Sequence, residues 1–202
     1  MLRPYCSCKL PFGGRLLSGL MLHSFHEHYG RWVAFKDIAV NDLLRDVRRS
    51  PLLLCACCLI AVRHTTEELA SAVAPRMFEE AKSLFSKALL VVPQTFDFFQ
   101  ATVILSMWST TIGQVLLSVD SWLSSGFALQ HSLASDVFRP VKSRSAQMTR
   151  QDLGSVAVWN NLCLTHLQYR KLSPSAFLLF FTDFIQLFSW YTAAASLETR
   201  SD

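Results

Sequence analysis

The sequence predicts an all-α fold, a multi-helix bundle in a single domain, on three observations. Hydrophobic residues make up 51% of the 202 residues and charged residues only 17%, so most helices must bury several sides against one another. Only 7 glycines and 7 prolines interrupt the chain, and few runs alternate apolar and polar residues as strands do. No pattern repeats at a spacing of roughly 20 to 50 residues, which argues against a solenoid.

The same pattern divides the chain into three regions. Residues 1–15 contain two prolines and a glycine pair without apolar periodicity, and we expect a disordered lead-in without a secretion signal. Residues 16–171 carry the helical patterns of one domain, which is expected to be intracellular. Residues 172–202 begin with a serine–proline turn and continue as a long apolar stretch, which predicts a C-terminal helix.

The first helices can be placed by their start signals. A helix is expected over Leu16–Tyr29, and Asn41 or Asp42 is a candidate cap for a short helix that ends near Arg48. Ser50 followed by proline then predicts the start of a helix that is apolar on every side and therefore buried.

The next helical region has both a start signal and an interruption. Thr65 and Glu68 have the spacing of a capping box. Pro75 predicts either two helices or a kink, because proline removes a backbone donor. Apolar residues recur every three or four positions from Met77 to Leu89, which is typical of an amphipathic helix.

Residues 94–137 predict two long apolar helices with a short break at Thr110–Gly113, and we expect the rest of the chain to pack against this pair. Within the second helix, Trp122 and Gly126 are four residues apart and share one face. Glycine there would let another backbone approach beside the tryptophan. Residues 138–151 are polar and predict a loop, after which Asp152 is a candidate cap for the last helix of the domain.

Three stretches, in this order, resemble the regulatory "middle homology" domain of fungal zinc-cluster transcription factors. They are the apolar helix Ser50–His64, the motif around Trp122, Gly126 and Ala128, and the helix Trp159–His166. The last stretch is most similar to regulators of secreted-protease genes. The motif departs from the family at its last position, and the resemblance ends after residue 171.

The resemblance implies an incomplete regulatory domain, a fragment that regulates RNA polymerase II transcription in the nucleus. Its partners would be coactivators, repressors or a dimer mate, with no direct contact to nucleic acid and no membrane insertion. Two other classes stay open: a membrane-associated helical protein anchored by residues 176–195, and a helical scaffold. Asp183 and Gln186 argue against the membrane span, because a central aspartate costs about 2.5 to 3.5 kcal/mol on insertion.

The cysteines do not form the zinc cluster that such factors use to read DNA. The six are Cys6, Cys8, Cys55, Cys57, Cys58 and Cys163. A two-zinc cluster needs paired Cys-x2-Cys segments in a compact basic loop, whereas three of these lie on one apolar helix and should pack as small hydrophobes. We therefore expect no DNA-binding module in this chain.

No group of residues predicts catalysis or cofactor binding. Cys163 and His166 have a helical spacing, but no oxyanion loop or orienting carboxylate accompanies them. His23, His26 and His28 are close in sequence without a third ligand fixed by a motif. The net charge of +4 is too dispersed to indicate a nucleic-acid surface, although arginines and a lysine cluster in two places, Arg45/Arg48/Arg49 and Arg139/Lys142/Arg144/Arg150. The sequence predicts a protein without catalytic, cofactor or metal residues, and so no enzyme.

Overall fold

The computed structural model of the chain describes residues 14–35, 38–108, 111–112, 115–116, 119–139, 141 and 149–169. Over these ranges it confirms the all-α bundle. The seven helices are α1 Gly14–Tyr29, α2 Val40–Val47, α3 Pro51–Ala61, α4 Glu67–Ala88, α5 Phe96–Trp108, α6 Ser121–Ala134 and α7 Arg150–Tyr169. Short 3-10 turns occupy Gly30–Val33, Val62–His64 and Asp136–Phe138.

Helix α3 lies at the centre of the bundle. Every residue from Leu52 to Ala61 is buried, and the helix packs against α1, α4 and α5. Helix α5 packs against α3 and is itself buried from Phe98 to Ser106. The expectation that the rest of the chain packs against α5 and α6 holds for α7, which packs against both, but not for α1 and α4, which pack mainly against α3.

The break between α5 and α6 is longer than predicted. Residues 109–120 separate the two helices, and they include a small antiparallel hairpin of β1 Thr111–Ile112 and β2 Val115–Leu116. The pairs Thr111 with Leu116 and Ile112 with Val115 hold its register. Thr111, Ile112 and Val115 have β-branched side chains, which suit strands.

One predicted interruption and one predicted helix start differ in the structure. Helix α4 runs through Pro75 without a break, so the prediction of two helices is wrong. Val73, Ala74, Met77 and Phe78 are buried on both sides of the proline, and this packing offsets the one backbone hydrogen bond that proline removes. Helix α1 begins two residues before the predicted start at Leu16.

The predicted cap of α3 is confirmed, whereas the predicted cap of α4 is wrong by one residue. Ser50 caps α3 as expected, and its Oγ accepts from the Leu53 amide at 3.4 Å. Helix α4 is capped by Thr66 and not by Thr65, whose hydroxyl donates to the Val62 carbonyl at 2.7 Å. The capping box of Thr65 is thus wrong by one residue.

The starts of α2 and α7 also differ from the predicted caps. Helix α2 starts after Ala39 without a side-chain cap, and Asp42 instead pairs with Arg45 at 2.7 Å. In α7 the cap is Thr149, because its Oγ1 accepts from the Asp152 amide at 3.2 Å. Asp152 lies three residues later and accepts from the Thr149 amide at 2.8 Å, so it completes the cap from inside the helix.

The predictions for residues 1–13 and for the apolar stretch 172–202 lie outside the described ranges, as does most of the predicted loop. None of the helices given above combines the length and apolarity needed to cross a bilayer. The proposed anchor at 176–195 is not among them.

Candidate interaction surface

Helix α6 carries its small polar residues inward and its large apolar residues outward. The buried side consists of Ser121, Ser124, Ser125, Ala128 and Ser132. The opposite side, called here the outer face of α6, consists of Trp122, Leu123, Gly126, Phe127, Gln130, Leu133 and Ala134. Its four large apolar side chains are between 41% and 60% exposed, and the face carries no charged residue.

The serines on the buried side explain how α6 reaches the core. Ser124 Oγ lies 3.0 Å from Ser106 Oγ of α5, and Ser121 Oγ donates to the Ser106 carbonyl at 2.8 Å. Serine side chains are short, so their hydroxyls can hydrogen-bond to each other where the two helices lie close together. Helix α6 is therefore held to α5 by small residues and hydrogen bonds, while its large apolar groups stay outside.

One edge of the outer face is joined to α7 by His166. The imidazole stacks on Trp122 with ring centroids 5.8 Å apart and planes 19° apart. A Cβ added to Gly126 would stand only 3.2 Å from His166 Cε1, so the absence of a side chain makes room for the ring. These residues, together with Ser125, form what we call the α6–α7 junction.

Hydrogen bonding fixes the orientation of the imidazole in this junction. Ser125 Oγ lies 2.5 Å from the Ser121 carbonyl and 3.1 Å from His166 Nδ1. The single hydroxyl proton goes to the carbonyl, which has no proton of its own. Ser125 Oγ then accepts from Nδ1–H, so the hydrogen bonding assigns a proton to Nδ1.

The prediction that Trp122 and Gly126 share a face is confirmed, but the prediction that a backbone approaches Gly126 is wrong. Trp122 and Gly126 do share one side of α6, but the group that approaches Gly126 is an imidazole and not a backbone. Sequence reasoning gave Ser125 and Ser106 no role. A pattern of serines on one side of an otherwise apolar helix was the available signal.

Cys163 is buried and His166 contacts α6. Burial raises the pKa of the Cys163 thiol to about 12, which disfavours the thiolate form that a nucleophile needs. The His166 ring is already engaged by Ser125 and Trp122. Burial likewise raises the pKa of Cys58 to about 12, and the α3 thiols are enclosed by the core.

Two of the three histidines of α1 make hydrogen bonds to backbone carbonyls. His26 Nε2–H donates to the Phe35 carbonyl and His28 Nδ1–H to the Ser24 carbonyl, both at 2.8 Å, while His23 is exposed. Within the ranges that the structure describes, no three His, Cys, Asp or Glu side chains are placed to hold a metal ion.

The basic residues are interleaved with acids where the structure shows them. Arg45 and Arg49 pair with Asp46, and Arg139 pairs with Asp136 at 3.0 Å. Such exposed pairs within one helix or turn are typical of a solvated surface. Arg48 reaches across to Ser18 at 3.3 Å. The side chains of Lys142, Arg144 and Arg150 lie outside the described part.

Comparison with known proteins identifies the domain. Residues 15–171 match the family described as "Transcriptional activator of proteases prtT middle domain". The chain is 30% identical over 154 residues to the transcriptional activator of proteases prtT of Aspergillus clavatus, which covers 76% of this chain and 24% of that protein. It is 32% identical over 152 residues to an uncharacterized transcriptional regulatory protein of Schizosaccharomyces pombe, covering 73% of this chain and 28% of that protein.

A third relative, the prtT activator of Aspergillus niger, is 25% identical over 154 residues. No solved structure matches the chain. The chain spans about a quarter of the length of these relatives. The resemblance to the protease-regulator branch of fungal transcription factors is confirmed, and the chain belongs to the family of prtT-like middle domains.

Proposed function

We propose that this chain is a regulatory module of a fungal transcription factor that acts in the nucleus on protease genes. It works through contacts with other proteins and not through catalysis. Family membership supports the regulatory role, and the names of the relatives support the class of target genes. The classes of partner are coactivators, repressors or a dimer mate.

The outer face of α6 is the observation that carries a role in protein contact. Its large apolar groups run from Trp122 at one end of the helix to Leu133 at the other. Continuous exposed apolar surface is rare on free-standing domains and is typical of sites that bind another polypeptide. The tryptophan and phenylalanine of the face belong to the residue types enriched at such interfaces.

Two observations support a non-enzymatic role without DNA contact. Burial raises the pKa of the Cys163 thiol to about 12 and His166 is held in the α6–α7 junction, which supports a role other than catalysis for this pair. Arg45, Arg49 and Arg139 each lie beside an aspartate, which reduces the positive potential that these three residues could offer to phosphates.

A reporter assay tests the proposal. The chain is fused to a heterologous DNA-binding domain and expressed in a fungal host with a matching reporter. We expect transcription to differ several-fold from that with the DNA-binding domain alone. The double substitution Leu123→Lys with Phe127→Lys should remove the effect, because charges on the outer face of α6 oppose apolar contact.

Leu20→Lys is the matched control, since Leu20 is also an exposed apolar residue on a helix but lies on α1. It should leave the reporter response unchanged. Immunoblots must show equal amounts of all fusions. A reporter that responds equally to the double variant and to the unmodified chain would contradict a role for the outer face.

A further inference from the structure

We propose that the turn after α1 is a second docking site, where Trp32 and Arg31 bind an acidic peptide segment of a partner protein. The turn comprises residues 30–35 and is called here the Trp32 turn. It belongs to a different part of the chain from the outer face of α6, so the proposal goes beyond the function proposed above. Its support comes from the exposed side-chain pair, from the charge of Arg31 and from the way in which the turn is held.

Trp32 and Arg31 form a stacked pair on the surface. Trp32 is 40% exposed, although Gly30 and Val33 of the same turn are buried. The Arg31 Cζ atom lies 5.2 Å from the centre of the Trp32 ring, a distance at which the ring attracts the guanidinium. Tryptophan and arginine are among the residue types that contribute most to binding at protein interfaces. The pair therefore offers a partner an apolar surface and a positive charge side by side.

The charge of Arg31 selects an acidic partner. Within the ranges that the structure describes, no carboxylate forms an ion pair with Arg31, and this includes Glu27, which lies one helical turn earlier. A carboxylate supplied by a partner can therefore bind this guanidinium through charge-assisted hydrogen bonds. Nucleic acid is a poorer occupant, because tight binding to its backbone requires several cations that contact successive phosphates.

Side chains from three helices hold the backbone of the Trp32 turn. Three of its carbonyls each accept a hydrogen bond from a different helix: Trp32 from Asn161 Nδ2 of α7 at 2.6 Å, Val33 from Gln100 Nε2 of α5 at 2.6 Å, and Phe35 from His26 Nε2 of α1 at 2.8 Å. The position of Trp32 is thus fixed before any partner arrives. Fixing a binding residue in advance lowers the entropy cost of association.

The backbone of the turn is also strained. Ala34 lies in the left-handed region at φ 63° and ψ 31°, which costs a residue with a Cβ roughly 1 to 2 kcal/mol. Gly154 of α7 makes room for it, since a Cβ added there would stand 3.1 Å from Ala34 Cβ. The Phe35 amide closes the turn by donating to the Gly30 carbonyl at 2.8 Å. Strain that the surrounding helices maintain in this way is typical of binding sites.

Fluorescence polarisation with the purified full chain tests the proposal. The probe is a short fluorescein-labelled peptide in which aspartate and phenylalanine alternate, and a second peptide has asparagine in place of every aspartate. We expect saturable binding of the aspartate peptide. The asparagine peptide should bind at least about threefold more weakly, because it offers Arg31 no carboxylate.

Two pairs of variants locate the site. Trp32→Ala should raise the Kd of the aspartate peptide at least about tenfold, whereas Trp122→Ala, which removes a similarly exposed tryptophan from the outer face of α6, should leave it unchanged. Arg31→Gln should bring the Kd values of the two peptides within about twofold of each other, because the carboxylates have lost their cation. Arg139→Gln removes another exposed arginine and should preserve the difference between the peptides.

Circular dichroism must show that each variant keeps the helical content of the unmodified chain, and the exposed Arg31→Gln change decides the matter if Trp32→Ala does not fold. Four results would overturn the proposal: no saturable binding, equal affinity for the two peptides, displacement of the peptide by an oligothymidylate, or weaker binding in Trp122→Ala but not in Trp32→Ala. The last result would place the peptide on the outer face of α6.

Discussion

Gly126 occupies a position in the α6–α7 junction where even one extra carbon meets resistance. An added Cβ would stand 3.2 Å from His166 Cε1, and the ring cannot yield freely because Ser125 and Trp122 hold it. Gly19 offers a matched helical glycine, since its added Cβ would meet Leu44 Cδ2 at an ordinary 3.9 Å.

We expect Gly19→Ala to raise the free energy of unfolding by about 0.5 to 1 kcal/mol, the usual gain of alanine over glycine in a helix. The free energy of unfolding of the Gly126→Ala variant should be at least about 1 kcal/mol lower than that of the Gly19→Ala variant, because overpacking against His166 offsets the stabilisation. Urea titrations followed by circular dichroism measure both values. Equal gains at the two positions would show that the junction has room to spare.

His64 is the residue through which we expect the stability of the bundle to depend on pH. Its ring stacks on His28 with centroids 3.9 Å apart, and Tyr29 Oη lies 3.2 Å from its Nε2. Burial lowers the pKa of His64, and the charges of His28 and Arg63 lower it further, while Glu27 opposes them. The unfolded chain therefore binds the proton more readily than the folded chain does, so stability present above about pH 6.5 is lost as the pH falls.

We expect the unfolding free energy of the unmodified chain to drop between pH 7.5 and pH 5.5. His64→Phe keeps an aromatic ring against His28 without a titratable group, so its stability should fall less over the same interval. Parallel denaturant titrations at the two pH values measure the difference. Identical losses in both proteins would mean that other groups cause the pH dependence.

At the level of elements, α6 depends on one capping residue. Asp120 precedes the helix, and its Oδ1 accepts from the Leu123 amide at 2.8 Å. Asp120→Ala should lower the free energy of unfolding by about 1 kcal/mol, because it leaves a terminal amide without its acceptor. Asp120→Asn retains a side-chain oxygen, so its loss in free energy of unfolding should be only a few tenths of the loss in the alanine variant. Thermal unfolding of the two variants separates the hydrogen bond from the charge, and equal losses would point to the charge.

Caps also show what a sequence can and cannot predict at this level. The start of α3 was predictable because Ser50 is followed by proline, so two independent signals agree on one residue. Thr65 and Thr66 have the same chemistry, and only the path of the preceding 3-10 turn decides that Thr66 caps α4. The same holds for α7, where Thr149 and Asp152 satisfy each other's amides and either could have been taken for the cap.

For the whole molecule, the fold class followed from composition, but the placement of α6 did not. Helices α5 and α6 are both rich in apolar residues. No local sequence feature distinguishes a helix that is buried on all sides, as α5 is, from one that buries serines and exposes a tryptophan, as α6 does. That choice depends on Ser106 of α5 meeting Ser124 of α6, a contact between residues 18 positions apart. His166 likewise acquires its role from Ser125, 41 positions away.

The central position of α3 leads to a prediction for the stability of the whole bundle. Leu59 has no exposed surface and lies between α3 and its neighbours, whereas Leu90 is 88% exposed in the connection after α4. Both can be shortened by the same chemical change. Leu59→Ala removes buried methyl groups and leaves a cavity, so we expect a loss of about 2 to 5 kcal/mol. Leu90→Ala should stay within about 0.5 kcal/mol of the unmodified chain.

Urea denaturation of the two leucine variants makes the comparison quantitative, because the removed atoms are identical and only their surroundings differ. A large loss for Leu59 with none for Leu90 would fit a bundle whose stability is concentrated around α3, with the surface near α6 left for contacts with other polypeptides. Comparable effects at the two sites would contradict the central position of α3. A large loss for Leu90→Ala would mean that the exposed connection is itself covered in the protein.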